Sequence, residues 1–576
     1  MGVKLAKTAG FCMGVRRAVD RVLDTAREQK SGTIYTYGPL IHNPQTVELL
    51  RKRGIEPVGS IVDIPTGGDV TLIIRTHGIT PEERRQIRAK GVRIVDATCP
   101  KVARVQAIIK KYAARGYRII IVGDKGHPEV AGLMGYTAGR GVVVATEEEA
   151  EALPPAEQVG VVAQTTQDLD RYAAIAEIIK RKMPQALVFD TICDSTGKRQ
   201  SEIKELAAGT DALIVVGGAN SANTKRLVEI AGQQGKPTFY VETAEELKSL
   251  PLDRYPCIGV SAGASTPNWI IDRVLNDITS MQAQGIRKSK KLFNFWLFLI
   301  RTDIYSALGA GCLYLAGALI QRLDLRWENF LMASLYVYAM HVLNRFTDQK
   351  TNLIGSFREE TYREHESRYF ILAVTALVAA LLLALEQGMG QFLLLLVMSL
   401  LGILYNARLL PRHWRFRSLK ELPGSKNVSM ALAWAMVTSV MPALGTRDLH
   451  PAAILVAFSF VFAIVFIRSV LSDILDLQND RLMGRETIPA IAGRKTAERI
   501  LKLIWVFLLL LMAVAFPAGW SSSVTWALTI CLFYVLICFE LCDRRAALSG
   551  MELWGLLETS YIIAGLSALL WLIFIG

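Results

Sequence analysis

Hydrophobic and polar positions change rhythm near residue 285. Before that point, short β-branched runs such as DVTLIIRTHG, YRIIIVGDKG, DALIVVGGAN and YPCIGVSAGA alternate with charged stretches of helical period, which predicts an α/β fold. After it, the chain is dominated by long apolar blocks. Nine of them approach the ~20 residues needed to cross a bilayer, centred near Leu308, Tyr336, Val378, Leu396, Met436, Val461, Leu508, Phe533 and Leu569. The junction MQAQGIRKSKKL is polar and basic, a linker reaching a membrane surface. The expected organisation is a soluble domain over 1–280, a linker over 281–292 and an all-α membrane domain of about nine helices over 293–576.

In the soluble domain a single local pattern occurs three times. VKLAKTAGFCMGVRRAVDRVL, VRIVDATCPKVARVQAIIKKY and ALVFDTICDSTGKRQSEIKEL each read as a strand, a short turn and a helix, with Cys12, Cys99 or Cys193 at the turn. Such a turn aims backbone N–H groups and the positive end of a helix dipole at the loop, which suits a thiolate or an anionic cluster. Structural zinc and electron-transfer iron–sulfur sites take four protein ligands, whereas three leave one coordination position open.

Charge sets the expected topology. Lys and Arg collect after the second, fourth and sixth apolar blocks (Arg345 to Arg368, Arg408 to Lys426, Arg481 to Arg499) and are sparse in the loops between. By the positive-inside rule this places the soluble domain in the cytoplasm, at the cell (inner) membrane. The first strand begins almost at once, without a secretory signal. The net charge of +13 sits largely in the linker and these loops, and no basic stripe with interleaved aromatics points to nucleic acid. A cytoplasmic setting makes the cysteines thiols or ligands rather than disulfides. Cys257, Cys312, Cys531, Cys538 and Cys542 read as small packing residues.

Three histidines sit at strand ends read here as equivalent: His42 in GPLIHNP, His77 in IIRTHGIT and His127 in GDKGHPEV. QTT at 164–166, GGANSANT at 217–224 and SAGASTP at 261–267 also follow strands, with the amides and hydroxyls of an anion-wrapping loop or of ordinary N-caps.

Together these residues resemble the IspH (LytB) family of 4-hydroxy-3-methylbut-2-enyl diphosphate reductases. AGFCMGV, HN at 42–43, THG, DATCPKV, GHPEVAG, QTT, DTICDST, NSANT and SAGAST stand in family order between residues 3 and about 278. The resemblance implies three pseudo-equivalent lobes around a 4Fe-4S cluster held by Cys12, Cys99 and Cys193. It implies loss of the substrate hydroxyl as water with two electrons and two protons, giving isopentenyl and dimethylallyl diphosphates. Glu129 would be the proton donor with Thr165 beside it, since hydroxide leaves poorly until protonated. His42, His77, His127, Ser221, Asn223 and Ser265 would bind the diphosphate. Ala222 departs from the family loop, where a hydroxyl or arginine is usual. No flavin or nicotinamide fingerprint is present, so ferredoxin or flavodoxin is the implied electron donor. A three-cysteine 4Fe-4S hydro-lyase is the alternative, and it would consume no electrons.

The membrane half carries HVLNRFTDQKTN and RSVLSDILDLQNDRLMGRETIP. Asp473, Asp476 and Asp480 are expected on one face of a helix, where like charges persist most readily around a divalent cation such as Mg2+ bridging a diphosphate. With YNARLLPRHW and the GSKN around Lys426 and Asn427, these motifs resemble the UbiA superfamily of intramembrane prenyltransferases over 292–576. The resemblance implies Mg2+ held by Asn344, Asp348, Asp473, Asp476 and Asp480, a prenyl diphosphate and a lipophilic acceptor. The first motif departs from N-D-x-x-D by Arg345, and Asn352 stands where another Asp is usual. A non-catalytic anchor is the alternative for this half.

Overall fold

The computed structural model describes the chain except 1, 30–31, 68, 285–290, 350–361, 363–364, 406–421, 423, 447–449, 484–486, 544–549 and 576. Among the sequence expectations, most of the basic linker, the basic loops at 350–361 and 406–421 and the side chain of Asp348 lie outside the described residues. The chain divides into two compact units, Met1–Gly285 and Ile286–Gly576.

Among the described residues, the first unit holds twelve strands in three four-stranded parallel sheets. Strands β2 (Thr33–Tyr37), β3 (Ile55–Val58), β4 (Val70–Ile74) and β5 (Arg93–Asp96) run in the order β3-β2-β4-β5. Strands β6 (Arg118–Val122), β7 (Gly141–Val144), β8 (Val159–Ala163) and β9 (Leu187–Val188) repeat that order as β7-β6-β8-β9. The third sheet is built from β10 (Ala212–Val216), β11 (Thr238–Val241) and β12 (Cys257–Ala262), and its outer position is taken by β1 (Gly2–Leu5), in the order β11-β10-β12-β1. The lobes are therefore three copies of one topology, and the first strand of the chain completes the last lobe. Strands covered on both faces read as unbroken apolar runs, and Leu72 to Ile74, Ile119 to Val122 and Leu213 to Val216 are all buried.

This order sorts the loops by rank. Each outer strand β1, β5 or β9 runs into a cysteine that caps a helix: Cys12 before Met13–Glu28, Cys99 before Pro100–Ala113 and Cys193 before Asp194–Ala208. Central strands β2, β6 and β10 lead to His42, His127 and Ser221; the other central strands, β4, β8 and β12, lead to His77, Thr165 and Ser265. His77 is thus not equivalent to His42 and His127, although all three follow strands. The correction rests on sheet order, which pairs residues far apart in sequence.

The second unit is helical. Each of the nine apolar blocks falls on a helix, but they are unequal. Glu366–Gln387, Pro451–Leu475, Val524–Cys542 and Met551–Phe574 are long and apolar enough to span a bilayer, and Leu292–Arg301 with Ile304–Ile320 form a fifth candidate bent by 85°. Met389–Leu404 is shorter, because Gly388 (φ 149°) breaks the chain before it. The block around Met436 is interrupted by a π-turn over Met436–Val440 just before Pro442, whose ring cannot continue an ordinary ladder. Side chains of Pro451–Leu475, from Ala457 to Phe460, fill the centre, whereas Phe370, Ile371, Leu382, Leu503, Phe507 and Ile537 face outward, an apolar exterior suited to lipid.

Candidate functional site

The carboxyl ends of the parallel strands converge, as such sheets place their ligand crevices. Three equivalent hydrogen bonds pin the cysteines there: Cys99 N–H donates to Thr76 O (2.9 Å), Cys193 N–H to Thr165 O (3.0 Å) and Cys12 N–H to Ala264 O (3.1 Å). Each acceptor lies in the loop after the neighbouring central strand. Gly14 follows from this closeness, since a Cβ on it would stand 2.5 Å from Cys99 Sγ and 3.9 Å from Cys12 Sγ.

Cys12, Cys99, Cys193, His42, His77, His127, Glu129, Thr165, Ser221, Asn223 and Ser265 all line one solvent-open cleft. Three thiols at helix N-termini, with no side chain at Gly14 between two of them and no fourth cysteine in the lining, form a donor set that fits a four-iron cluster with three protein ligands.

Opposite the sulfurs stand the imidazoles, with ring centroids 4.8 Å apart for His42 and His77, 5.4 Å for His77 and His127, and 6.0 Å for His42 and His127. Burial lowers the pKa of each; mutual repulsion and the nearby Arg75 guanidinium push His77 well below its usual value, and His127 falls to about 4. Neutral imidazoles donate one hydrogen bond each. His127 Nδ1 accepts from the Glu129 N–H at 3.1 Å, so the proton sits on Nε2. His42 Nε2, His77 Nδ1 and Asn223 Nδ2 are buried without a hydrogen-bond partner. Leaving such groups unsatisfied costs about 1–3 kcal/mol each, which an acceptor-rich anion would offset. Ser221 accepts from Thr224 N–H at 3.3 Å, leaving its own proton to donate at the start of the helix Ala222–Gln233.

Glu129 lies in the first turn of the short helix Pro128–Met134 and is 2% exposed. Its carboxyl accepts from Thr165 N–H at 2.7 Å and Thr165 Oγ1–H at 2.9 Å. Those bonds favour the charged form, but burial outweighs them and raises the pKa to about 7. The group is therefore poised to give or take a proton near neutrality.

In the helical unit the second acidic motif bends. Helix Pro451–Leu475 ends at Asp476 (φ −92°, ψ 5°), and Asp480 belongs to the next helix, Leu477–Met483. The three carboxylates do not share one continuous helical face; the helical run breaks at Asp476, within a set that would otherwise line up at i, i+3 and i+7. Asp473, buried, accepts from Lys426 Nζ (2.9 Å) and Asn427 Nδ2 (2.8 Å). Carboxylate oxygens are hard donors of the kind Mg2+ takes, but Asp473 is here paired with the Lys426 ammonium. Asn344 and Arg345 lie on Trp327–Gln349, and Arg345 forms two bonds to Asp303, at 2.6 and 2.7 Å.

Comparison with known proteins then decides the family. The LytB protein family model matches residues 3–279. The 4-hydroxy-3-methylbut-2-enyl diphosphate reductase of Geobacter metallireducens is 41% identical over 283 residues, covering 49% of this chain and 99% of that protein. That of Geotalea uraniireducens is 43% identical over 278 residues, covering 48% and 97%. The chain belongs to the LytB family. Its C-terminal half matches the UbiA prenyltransferase family model over residues 305–549, so the chain is a LytB–UbiA fusion. Solved structures similar to the two halves include the Plasmodium falciparum E-1-hydroxy-2-methyl-but-2-enyl-4-diphosphate reductase (29% identity, TM-score 0.46, covering 48% of this chain and 86% of that one). A UbiA homologue from Aeropyrum pernix is also similar (13% identity, TM-score 0.38, covering 46% and 97%).

Three features of the LytB and UbiA halves escaped sequence reasoning. Arg199, buried in the helix opened by Cys193, looked like one more polar position. Asp303, fully buried, also binds the Tyr362 hydroxyl at 2.8 Å; its signal was the polar break RTD between two apolar runs. Arg468 and Glu558 form a buried ion pair, announced only by single charges inside apolar runs.

Proposed function

We propose that the LytB half converts 4-hydroxy-3-methylbut-2-enyl diphosphate to isopentenyl and dimethylallyl diphosphates, and that Glu129 is its acid. The carrying observation is a buried carboxyl with a pKa of about 7, bonded twice to Thr165 in the cleft that gathers the three cysteines. Its relatives bear the name of that reductase. A 4Fe-4S cluster held by Cys12, Cys99 and Cys193 would supply electrons singly. His42, His77, His127, Ser221, Asn223 and Ser265 hold the diphosphate through neutral donors. Glu129 gives the proton with which the hydroxyl leaves as water; two electrons from ferredoxin or flavodoxin and a second proton, delivered to carbon, complete either product. Anaerobic purification tests this: a brown protein with 4Fe-4S spectra that loses its cluster in Cys99→Ser, and consumes two electrons per product, is expected. Stoichiometric zinc without iron, or turnover without reductant as in a hydro-lyase, would sink it.

The UbiA half is read as a prenyltransferase acting on a prenyl diphosphate with Mg2+ and a lipophilic acceptor, in the cell (inner) membrane with the LytB half in the cytoplasm. Asp473, Asp476, Asp480, Asn344 and Asp348 would hold the metal, which would screen the diphosphate as it departs. The basic loops after the second, fourth and sixth apolar blocks support this orientation. Membranes given labelled prenyl diphosphate, Mg2+ and lipid extract should form a labelled lipid that Asp476→Ala abolishes; equal labelling by that variant would favour an anchor.

A further inference from the structure

Arg199 is the most deeply enclosed charge near the cysteines that the proposed reaction leaves without a role. It is 3% exposed. Its partners are all backbone carbonyls: Nη1 bonds Thr8 O and Ala262 O (3.3 Å), and Nη2 bonds Gly10 O (2.7 Å). Nε has no partner, and among the described residues no carboxylate forms an ion pair with the guanidinium. A cation so placed is strongly disfavoured unless negative charge lies close by. Burial lowers its pKa, and the groups that oppose this are Cys12, Glu202 and Cys193.

The three carbonyls come from two segments that matter to the cleft. Thr8 and Gly10 belong to the loop that delivers Cys12, and Ala262 ends β12, just before Ser265. Gly10 adopts φ +107°, a conformation that suits glycine. From the next turn of the Arg199 helix, Glu202 accepts from Lys7 N–H (2.6 Å) and Thr8 N–H (2.9 Å). The helix that begins at Cys193 thus clamps the Cys12 loop with one donor and one acceptor side chain. The other cations near these helices differ: Arg17 is exposed, and Lys101 is paired with Asp194 at 2.7 Å.

We propose that Arg199 is the counter-cation of the three-cysteine centre, fixing Cys12 against Cys193 and raising the reduction potential of the cluster bound there. A three-thiolate four-iron cluster carries net negative charge that grows on reduction, so a buried cation favours the reduced form. This rests on the four-iron reading of the cleft, which the iron and sulfide content of the wild-type protein tests separately.

The test is an EPR-monitored redox titration of the anaerobically reconstituted full chain and of Arg199→Lys and Arg199→Gln. Arg199→Gln keeps hydrogen-bond donors and removes the charge. At a fixed solution potential its ratio of reduced to oxidised cluster should fall by about tenfold, which corresponds to about 1.4 kcal/mol of lost charge interaction. Arg199→Lys should stay close to wild type. Should Arg199→Gln fail to retain iron while Arg199→Lys retains it, the charge requirement stands. An unchanged potential in Arg199→Gln, or loss of iron in both variants, overturns the proposal and leaves Arg199 a packing residue. A wild-type protein without iron overturns the four-iron reading instead.

Discussion

Glu129 and Thr165 hold each other through two hydrogen bonds, and the same Thr165 accepts the backbone N–H of Cys193 through its carbonyl. One residue therefore spaces the buried carboxyl from a cysteine. In Thr165→Ala the backbone bond remains and the hydroxyl bond goes. That bond favours the carboxylate, so its loss raises the Glu129 pKa. The alkaline limb of kcat, which requires the protonated acid, is expected to move to higher pH while kcat falls. A limb fixed in place would show that Thr165 does not tune Glu129.

Glu129 should also weaken the fold when charged. A group whose pKa rises on folding, here from 4.5 to about 7, stabilises fully below pH 4.5, and that contribution is lost as pH rises to about 7. The difference is about 3 kcal/mol at pH 8. Glu129→Gln preserves both contacts to Thr165, because an amide can accept from its N–H and donate to its hydroxyl. It is expected to abolish turnover and yet raise the Tm at pH 8 more than at pH 5, as measured by thermal unfolding.

Alanine normally strengthens a helix by about 1 kcal/mol over glycine. In Gly14→Ala that gain is opposed by a Cβ 2.5 Å from Cys99 Sγ. The expected outcome is native circular dichroism with iron content well below wild type.

Ala222 lines the cleft beside Ser221 and Asn223. Ala222→Ser should restore one hydrogen bond to the substrate, worth about 0.5–1.5 kcal/mol, and lower KM about two- to tenfold with kcat little changed.

In the UbiA half, Asp303 sits in a left-handed conformation (φ 57°) between two helices, held by Arg345 and Tyr362. Removing one member of a buried pair costs about 3–5 kcal/mol. Asp303→Asn should therefore lower the Tm in detergent more than Asp303→Asn with Arg345→Met.

Much of this was legible in the chain itself. The repeated strand-turn-cysteine-helix pattern is local, because periods of 2 and 3.6 are properties of a few consecutive residues. It located Cys12, Cys99, Cys193 and the loop residues without any knowledge of their neighbours. The nine apolar blocks were legible for the same reason, although Gly388 and the π-turn at Met436–Val440 trimmed two of them.

What tertiary structure decided is which distant residues meet. β1 completes the sheet of β10 to β12, and the order β3-β2-β4-β5, repeated as β7-β6-β8-β9, separates His77 in rank from His42 and His127. Burial turns Glu129 into an acid near pH 7. Asp476 turns the chain between two carboxylates. Asp303 captures Arg345, which in the sequence stands only as a departure from the first acidic motif. Arg199 finds three carbonyls nearly two hundred or some sixty residues away. Charges and pKa values depend on desolvation and on partners across the fold, and no local pattern of residues carries that information.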